Sequence, residues 1–327
     1  MELQVVIERH ELAGVFRISR SSRTATSVVV ASLSAEGRTG RGECGPNSRY
    51  GETPESVAAE LAAVELEGLT PDGAGRARLQ DRLHPGAARN ALDCALWDLE
   101  AKLSGVPAAR RAGVQVPDRF ETALTLSIDA PDAMAQAARR LGPGRLLKIK
   151  LDQDLVVERV AAIAAAVPGA RMIVDANEAW PVELLGEVHA RLADLGVIAI
   201  EQPLPAGGDE ALRGFRSAVP LIADESCHVR ADVERLAGLY DGVNIKLDKT
   251  GGLTEALALR AEAERRGMKL MVGCMLGTSL AMAPASLLVA GTMLVDLDAP
   301  FLLREDRHPG MAVEPGVMAA ATPALWG

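Results

Sequence analysis

Five apolar runs, each closed by a charged residue and set at almost even intervals, constrain this chain more than any other feature. Leu146-Leu147-Lys148-Ile149-Lys150 comes first. Met172 to Val174 then ends at Asp175, Val197 to Ile200 at Glu201, Pro220 to Ala223 at Asp224, and Val243 to Ile245 at Lys246. The steps between the closing residues are 25, 26, 23 and 22 residues, the length of one strand-loop-helix-loop unit. Side chains two apart on a strand share a face, so Lys148 and Lys150 point one way and Ile149 the other. Taken alone, the lysine run would also suit a plain surface strand; its recurrence with the later runs sets it apart.

Ala123–Ile128, Lys269–Gly273 and Met293–Leu297 bring the expected strands to eight. Helices are expected between them at 131–141, 153–167, 181–195, 208–217, 230–239, 253–267 and 278–290. Regular alternation implies an α/β fold, a parallel sheet with helices outside it. A closed (β/α) barrel fits better than a doubly wound sheet, because no Gly-x-Gly-x-x-Gly follows the first strand. Barrels of this kind carry functional residues at the C-terminal ends of their strands, where every closing charge lies.

Residues 1 to about 115 follow a different pattern and read as α+β. Leu3–Ile7 is a strand, and Ser27–Leu33 with Gly37–Gly42 forms a hairpin turning near Glu36-Gly37. The polar stretch Ser19–Thr24 is expected as a mobile loop, and Cys44–Glu52 as a second irregular segment. Thr53-Pro54 reads as an N-cap followed by proline at the first helical position. Helices are expected at 54–67, 72–83 and 87–104. In the last, Leu92, Leu96, Leu99 and Leu103 share a face and Gly105 ends it.

Composition excludes several classes of function. A net charge of −9 and only 3% aromatic residues argue against nucleic acid as a partner. No apolar stretch of about 18 residues suggests a membrane span. The N-terminal run lacks the basic start and apolar core of a signal peptide. Cys44, Cys94, Cys227 and Cys274 are scattered without metal-type spacing, so a reduced cytoplasm is the expected compartment.

Asp175, Glu201 and Asp224 end three consecutive strands and so neighbour one another on one rim. Each alone would also serve as a helix cap or a solvated loop acid. Together, buried without a partner, they would repel. A hard divalent cation resolves that conflict, and oxygen-only ligands favour Mg2+ over Zn2+. Lys148 and Lys150 precede the acids, and Lys246 follows them. A lysine is a base only when neutral, a form that burial and nearby positive charge favour. Two lysines on opposite sides of a metal-bound carboxylate suit removal of the α-proton on one face and its return on the other, through an enediolate.

The set Lys148-x-Lys150, Asp175-Ala176-Asn177, Glu201-Gln202-Pro203, Asp224-Glu225-Ser226 and Asn244-Ile245-Lys246 resembles the enolase superfamily in its muconate-lactonizing branch, over essentially the whole chain. The resemblance implies an N-terminal α+β capping domain over residues 1–118 and a (β/α)7β TIM-like barrel over 119–327, with the C-terminal tail returning to the cap. It implies that Lys148 polarises a substrate carboxylate and that Lys150 and Lys246 are the two acid/base catalysts. Asp175, Glu201 and Asp224 would hold one Mg2+ per subunit. Lysine at 246 distinguishes this branch from the mandelate-racemase branch, which uses a histidine-aspartate pair there.

Asp296-Leu297-Asp298 puts two carboxylates on one face of the last strand, an arrangement suited to a substrate ammonium. It resembles the dipeptide epimerases. Ile18–Thr24 is similar to the matching loop of the L-Ala-D/L-Glu epimerases, where Arg23 would pair with the glutamate side chain. Arg49–Glu52, Gly86–Asp98 and Asn244–Ala256 match that family closely, and Thr125 and Cys274 fall where it lines its substrate pocket. The departures are Gly45–Ser48 and the tail after Pro300. The implied activity is epimerisation of the C-terminal residue of L-Ala-D-Glu, a small acidic dipeptide, in murein peptide recycling. An N-acylamino acid racemase, an o-succinylbenzoate synthase, and a barrel that binds acidic dipeptides without turnover stand as alternatives. Oligomeric state stays open, with a homo-oligomer compatible.

Overall fold

The computed structural model describes residues 1–327. β1 (Glu2–Ile18) and β2 (Ser21–Ala35) form one long antiparallel hairpin. The stretch expected as a loop at Ser19–Thr24 is instead its tip. Only Ser19 and Arg20 turn, and Arg23 pairs across with Phe16 after a register shift between Glu11 and Phe16. The two strands satisfy each other's backbone groups out to the tip, so the hairpin extends without a third strand. β3 (Arg38–Cys44) completes the sheet after a turn at Glu36-Gly37, where both residues have positive φ, as a two-residue hairpin turn requires. A 3-10 turn at Ser48–Tyr50 lies within the second expected irregular segment.

α1 (Pro54–Ala62) starts under the Thr53 cap, with Pro54 in the first turn, and stops short of residue 67. α2 (Gly73–Arg82) follows, and α3 (Ala87–Ser104) has the expected bounds. α3 is buried almost all round because it lies between the sheet and the rest of the chain. Its seat on β3 depends on two small residues. A Cβ at Gly42 would come 2.0 Å from the Ala91 carbonyl oxygen, and one at Gly40 would come 2.3 Å from that of Ala95.

After α4 (Ala108–Ala112) and the short β4 (Arg119–Glu121), the parallel strands begin. They are β5 (Leu124–Leu126), β6 (Leu146–Lys150), β7 (Arg171–Asp175), β8 (Val197–Glu201), β9 (Leu221–Ala223), β10 (Gly242–Ile245), β11 (Lys269–Gly273) and β12 (Leu294–Asp296). Each pairs with the next, and the Ala123 N–H donates to the Val295 carbonyl at 2.8 Å, bringing first and last strands together. The outer helices are α5 (Pro131–Leu141), α6 (Val156–Ala166), α7 (Val182–Asp194), α8 (Asp232–Leu236), α9 (Leu247–Thr250), α10 (Leu253–Arg265) and α11 (Ser279–Ala285).

Three expected helices differ. At 208–217 there is only a 3-10 turn over Asp209–Leu212, flanked by Gly207, Gly208 and Gly214. The Asp209 carboxylate there accepts from Ser226, Tyr240 and Arg235 rather than capping a helix. The helix at 230–239 is a five-residue piece. The one at 278–290 passes into 3-10 geometry at Ser286. The tail adds α12 (Ala299–Leu302), β13 (Val313–Glu314) and β14 (Val317–Ala319), and β14 pairs with β4. It ends against α3, where the Trp326 indole donates to the Cys94 carbonyl at 3.0 Å and the Gly327 N–H to Asp98 at 2.8 Å.

Gly42→Ala is expected to cost about 1–3 kcal/mol or more of folding stability through overpacking against α3. The urea midpoint reads it, and an unchanged midpoint would mean that α3 can move off β3 freely.

Candidate active site

Ala123, Leu146, Ile173, Ala199, Ile222, Met271 and Leu294 pack into a buried apolar cluster inside the barrel. Two positions further along each strand, on the same inward face, stand Thr125, Lys148, Asp175, Glu201, Asp224, Gly273 and Asp296. Strand period alone thus stacks a charged layer on an apolar plug. β6 and β10 lie four places apart in the eight-strand order, so Lys150 and Lys246 come from opposite sides. Asp175, Glu201 and Asp224 occupy the arc from β7 to β9 between them. Thr125, Cys274, Asp296 and Asp298 occupy the other arc, from β11 through β12 to β5.

Six carboxyl groups in this layer are buried, those of Asp175, Glu201, Asp224, Glu225, Asp296 and Asp298. Four ammonium groups are buried with them, those of Lys148, Lys150, Lys246 and Lys249. The Lys148 Nζ lies 2.7 Å from Asp296, 2.8 Å from Glu201 and 3.1 Å from Asp175, joining the two arcs. Lys150 lies 2.6 Å from the Asp175 Oδ2. Asp224 is shared, its Oδ2 2.6 Å from Lys246 and its Oδ1 2.6 Å from Lys249. Glu201 also accepts from the Asn244 amide at 2.8 Å.

The imbalance shows in proton affinities. Burial alone would raise the Asp175 and Asp224 carboxyls. Lys150 and Lys148 at the first, and Lys246 and Lys249 at the second, outweigh burial and hold both below the usual range. Burial would lower the Lys148 and Lys246 ammonium groups, but their carboxylate neighbours overcome it and raise both. Three acids of this layer stay raised, Glu201 and Glu225 in one arc and Asp298 in the other. Burial and then Asp175 push Glu201 up to about 7. Burial and then Asp296 push Asp298 up to about 7. Asp296 also keeps one buried oxygen, Oδ1, without a hydrogen-bond partner.

A cavity of about 250 Å³ opens over this layer. Lys148, Lys150, Asp224, Lys246, Thr125, Cys274, Asp296 and Asp298 line it from the barrel, and Arg23 lines it from the hairpin. Asp175 and Glu201 are fully buried and do not border it. Thr125 contributes its N–H, which donates to the Asp298 Oδ2 at 2.6 Å. Burial raises the Cys274 thiol well above its usual value, and Asp296 adds to that shift.

Other residues of the site carried no role in the sequence reading. Lys249, 1% exposed, donates to the Asn244 carbonyl as well as pairing with Asp224. Gln202, at φ 32°, accepts from the Asp224 and Ser226 N–H groups and so sets the strand end that carries Asp224. Lys249 stands within Asn244–Ala256, three residues past Lys246. Gln202 follows Glu201 directly. No spacing rule separates either from ordinary loop polarity.

The donors of the β7–β9 arc are all carboxylate oxygens and suit a hard divalent cation. As the side chains stand, no three acidic, histidine or cysteine groups converge into a metal-binding cluster. The carboxylates turn instead to the lysines. The Glu201 Oε2 and Asp224 Oδ1 remain buried without hydrogen-bond geometry. Both oxygens do meet an ammonium group, Lys148 at 2.8 Å and Lys249 at 2.6 Å, and buried acid in excess of lysine, all of it carboxylate oxygen, fits a dication held by Asp175, Glu201 and Asp224.

Residues 1–113 match the mandelate racemase / muconate lactonizing enzyme N-terminal domain, and residues 131–322 match the enolase C-terminal domain-like family. The L-Ala-D/L-Glu epimerase of Escherichia coli (strain K12) is 49% identical over 96% of this chain and 98% of its own length. The N-acetyl-D-glutamate racemase of a Pseudoalteromonas species is 45% identical over 88% of this chain and 91% of its own. An enolase family member from Agrobacterium tumefaciens, with homology to dipeptide epimerases, was solved with sodium, L-Ala-L-Glu and an ordered loop. It superposes with a TM-score of 0.94 at 49% identity, covering 99% of each chain. Dipeptide epimerases from Cytophaga hutchinsonii, Enterococcus faecalis and Methylococcus capsulatus were solved with Mg and dipeptides.

A Cβ at Gly273 would lie 2.8 Å from the Asn244 amide and 3.0 Å from the Lys246 Cε. Gly273→Ala is therefore expected to cut turnover at least tenfold while leaving the melting temperature within a few degrees of the parent. Full activity in this variant would show that Lys246 does not need its present path.

Proposed function

The chain belongs to the mandelate racemase / muconate lactonizing branch of the enolase superfamily, and from that membership we propose that it epimerises the C-terminal residue of L-Ala-D-Glu to give L-Ala-L-Glu, and the reverse. The observation that carries this reading is the placement of Lys150 and Lys246 on opposite sides of one cavity, with the carboxylates of Asp175, Glu201 and Asp224 in one arc and those of Asp296 and Asp298 in the other. A dipeptide spans the two arcs. Its α-carboxylate goes to the β7–β9 side and to Lys148. Its free ammonium goes to Asp296 and Asp298. Its glutamate side chain goes to Arg23, which lines the cavity from the cap.

Asp175, Glu201 and Asp224 would hold one Mg2+. When bound, that cation supplies positive charge that neutralises the three acids, loosens their hold on the lysines and stabilises charge developing on the substrate carboxylate. Lys150 and Lys246 flank the α-carbon from opposite sides of the barrel. One takes the α-proton, and the other delivers a proton to the opposite face. The carbanion is delocalised onto its own carboxylate, where Lys148 donates. Thr125 holds Asp298, and Asn244 holds Glu201, so both recognition arcs are fixed before substrate arrives. Lys150 is assigned to the R centre and Lys246 to the S centre. We place this activity in the cytoplasm, in murein peptide recycling; no helix is long and apolar enough to cross a membrane.

The ammonium clamp separates this reading from racemisation of N-acylated amino acids, which have no free amine. Asp296→Asn with Asp298→Asn is expected to lower kcat/KM for L-Ala-D-Glu at least a hundredfold. Retained dipeptide activity, or faster turnover of N-acetyl-D-glutamate than of the dipeptide by the parent, would favour the racemase.

Proton NMR in D2O tests the chemistry directly. The glutamate α-proton signal of L-Ala-D-Glu should vanish as the second diastereomer appears. EDTA should stop both changes, and Mg2+ should restore them. Lys246→Ala should still exchange the α-proton of the D-residue without inversion, and Lys150→Ala that of the L-residue. Inversion in either variant would break the two-base scheme.

A further inference from the structure

Three arginines of the cap, Arg20, Arg23 and Arg49, border the cavity, and they are not equivalent. Arg20 pairs with Glu178 at 2.7 Å and with Glu225 at 2.8 Å. Arg49 meets Glu178 with two parallel hydrogen bonds, each 2.8 Å. Glu178 thus takes one arginine from the hairpin tip and one from the 44–52 segment. Its carboxylate is 8% exposed, and it also accepts from the Ala206 N–H at 2.8 Å. Arg23 makes no ion pair or side-chain hydrogen bond within the chain, so it is the guanidinium left for a ligand.

The backbone under Glu178 is held in an uncommon shape. Asn177 and Glu178 have φ of 45° and 70°, left-handed values that side-chain-bearing residues adopt at some cost. This turn aims two acceptors at the hairpin together. The Asn177 carbonyl receives Arg20 at 2.6 Å and Ser19 at 3.3 Å, while the Glu178 carboxylate receives Arg20 and Arg49. Arg23 sits three residues past Arg20, on the return strand of the same tip. Its position follows from where the tip is docked.

We propose that Glu178 is a specificity-determining positioning residue: by docking Arg20 and Arg49 it fixes the hairpin tip so that Arg23, the one unpaired guanidinium of the cavity, reads an acidic side chain on the substrate. The inference rests on the dipeptide reading given above. Reaction at the α-carbon depends on the barrel lysines, whereas discrimination between a carboxylate and its amide depends on Arg23 being held in place. Bidentate pairing of this kind gives the geometric definition that a single flexible contact lacks.

Two measurements test it. The first compares kcat/KM for L-Ala-D-Glu and L-Ala-D-Gln in the parent and in Glu178→Gln. The expected result is at least a tenfold loss of preference for the acid. A fall of both values in equal proportion, or an unchanged preference, would overturn the proposal and leave Glu178 a purely structural group. The double variant Arg20→Gln with Arg49→Gln removes the same docking from the exposed side, and it should lose the same preference even if the barrel variant folds poorly. The second measurement is limited trypsin digestion of the full-length protein without substrate, followed by mass spectrometry at Arg23, which both variants retain. Cleavage there should be at least tenfold faster in either variant than in the parent, and equal rates would overturn the docking role. Because the digestion needs no turnover, it reads Glu178 even if neither dipeptide is a substrate.

Discussion

Buried carboxylate in excess of buried ammonium is the constraint on which the rest of this molecule turns. Removing one partner from a buried ion pair costs about 3–5 kcal/mol, so a layer with six acids and four lysines persists only if its geometry is enforced from outside. The apolar plug beneath it and the paired strands around it provide that enforcement. Lys148 binds acids of both arcs, and Lys249 and Lys246 divide Asp224 between them. Glu201 beside Asp175 and Asp298 beside Asp296 are acids whose proton affinity burial and this crowding raise to about 7.

The cap serves the same layer from above. α3 carries buried polar groups that reach the segment following Lys246. Asn90 donates to Asp248, Arg89 to the Thr250 and Gly251 carbonyls, and Thr254 donates to Asp93. Asp248 in turn accepts from the Gly45 N–H at 2.9 Å, so the 44–52 segment is fastened to the same strand end. The hairpin tip is fastened on the other side of the cavity, at the strained turn after β7. The two attachments hold the hairpin tip and the 44–52 segment against the charged layer of the barrel.

The sequence foretold the barrel well because strand period and unit length are local quantities. Lys148, Asp175, Glu201, Asp224 and Asp296 each stand two residues beyond an apolar residue of the plug, and that offset is visible without coordinates. The expected helix at 208–217 failed for an equally physical reason. Its apolar spacing is helical, but glycines flank it and Asp209 has stronger partners on β9's loop and at Tyr240. The long hairpin was missed because β1 beyond Glu11 and β2 before Ser27 have little apolar alternation. Their pairing is satisfied by backbone groups, which leave little trace in side-chain pattern.

The eight strands, the charge that closes each of the five central ones, and hence the residue types that face a common rim are all written in local sequence. Resemblance to a known loop implies that Arg23 lies near that rim, and Arg23 lines the cavity. Which of the three cap arginines is free emerges from the folded chain alone. Arg20 and Arg49 are taken by Glu178 across 158 and 129 residues of chain. Ion pairing at such separation depends on how the cap is seated on the barrel and on a left-handed turn at Asn177-Glu178. Neither leaves a periodic signal, because both arise from long-range packing rather than from local repeat.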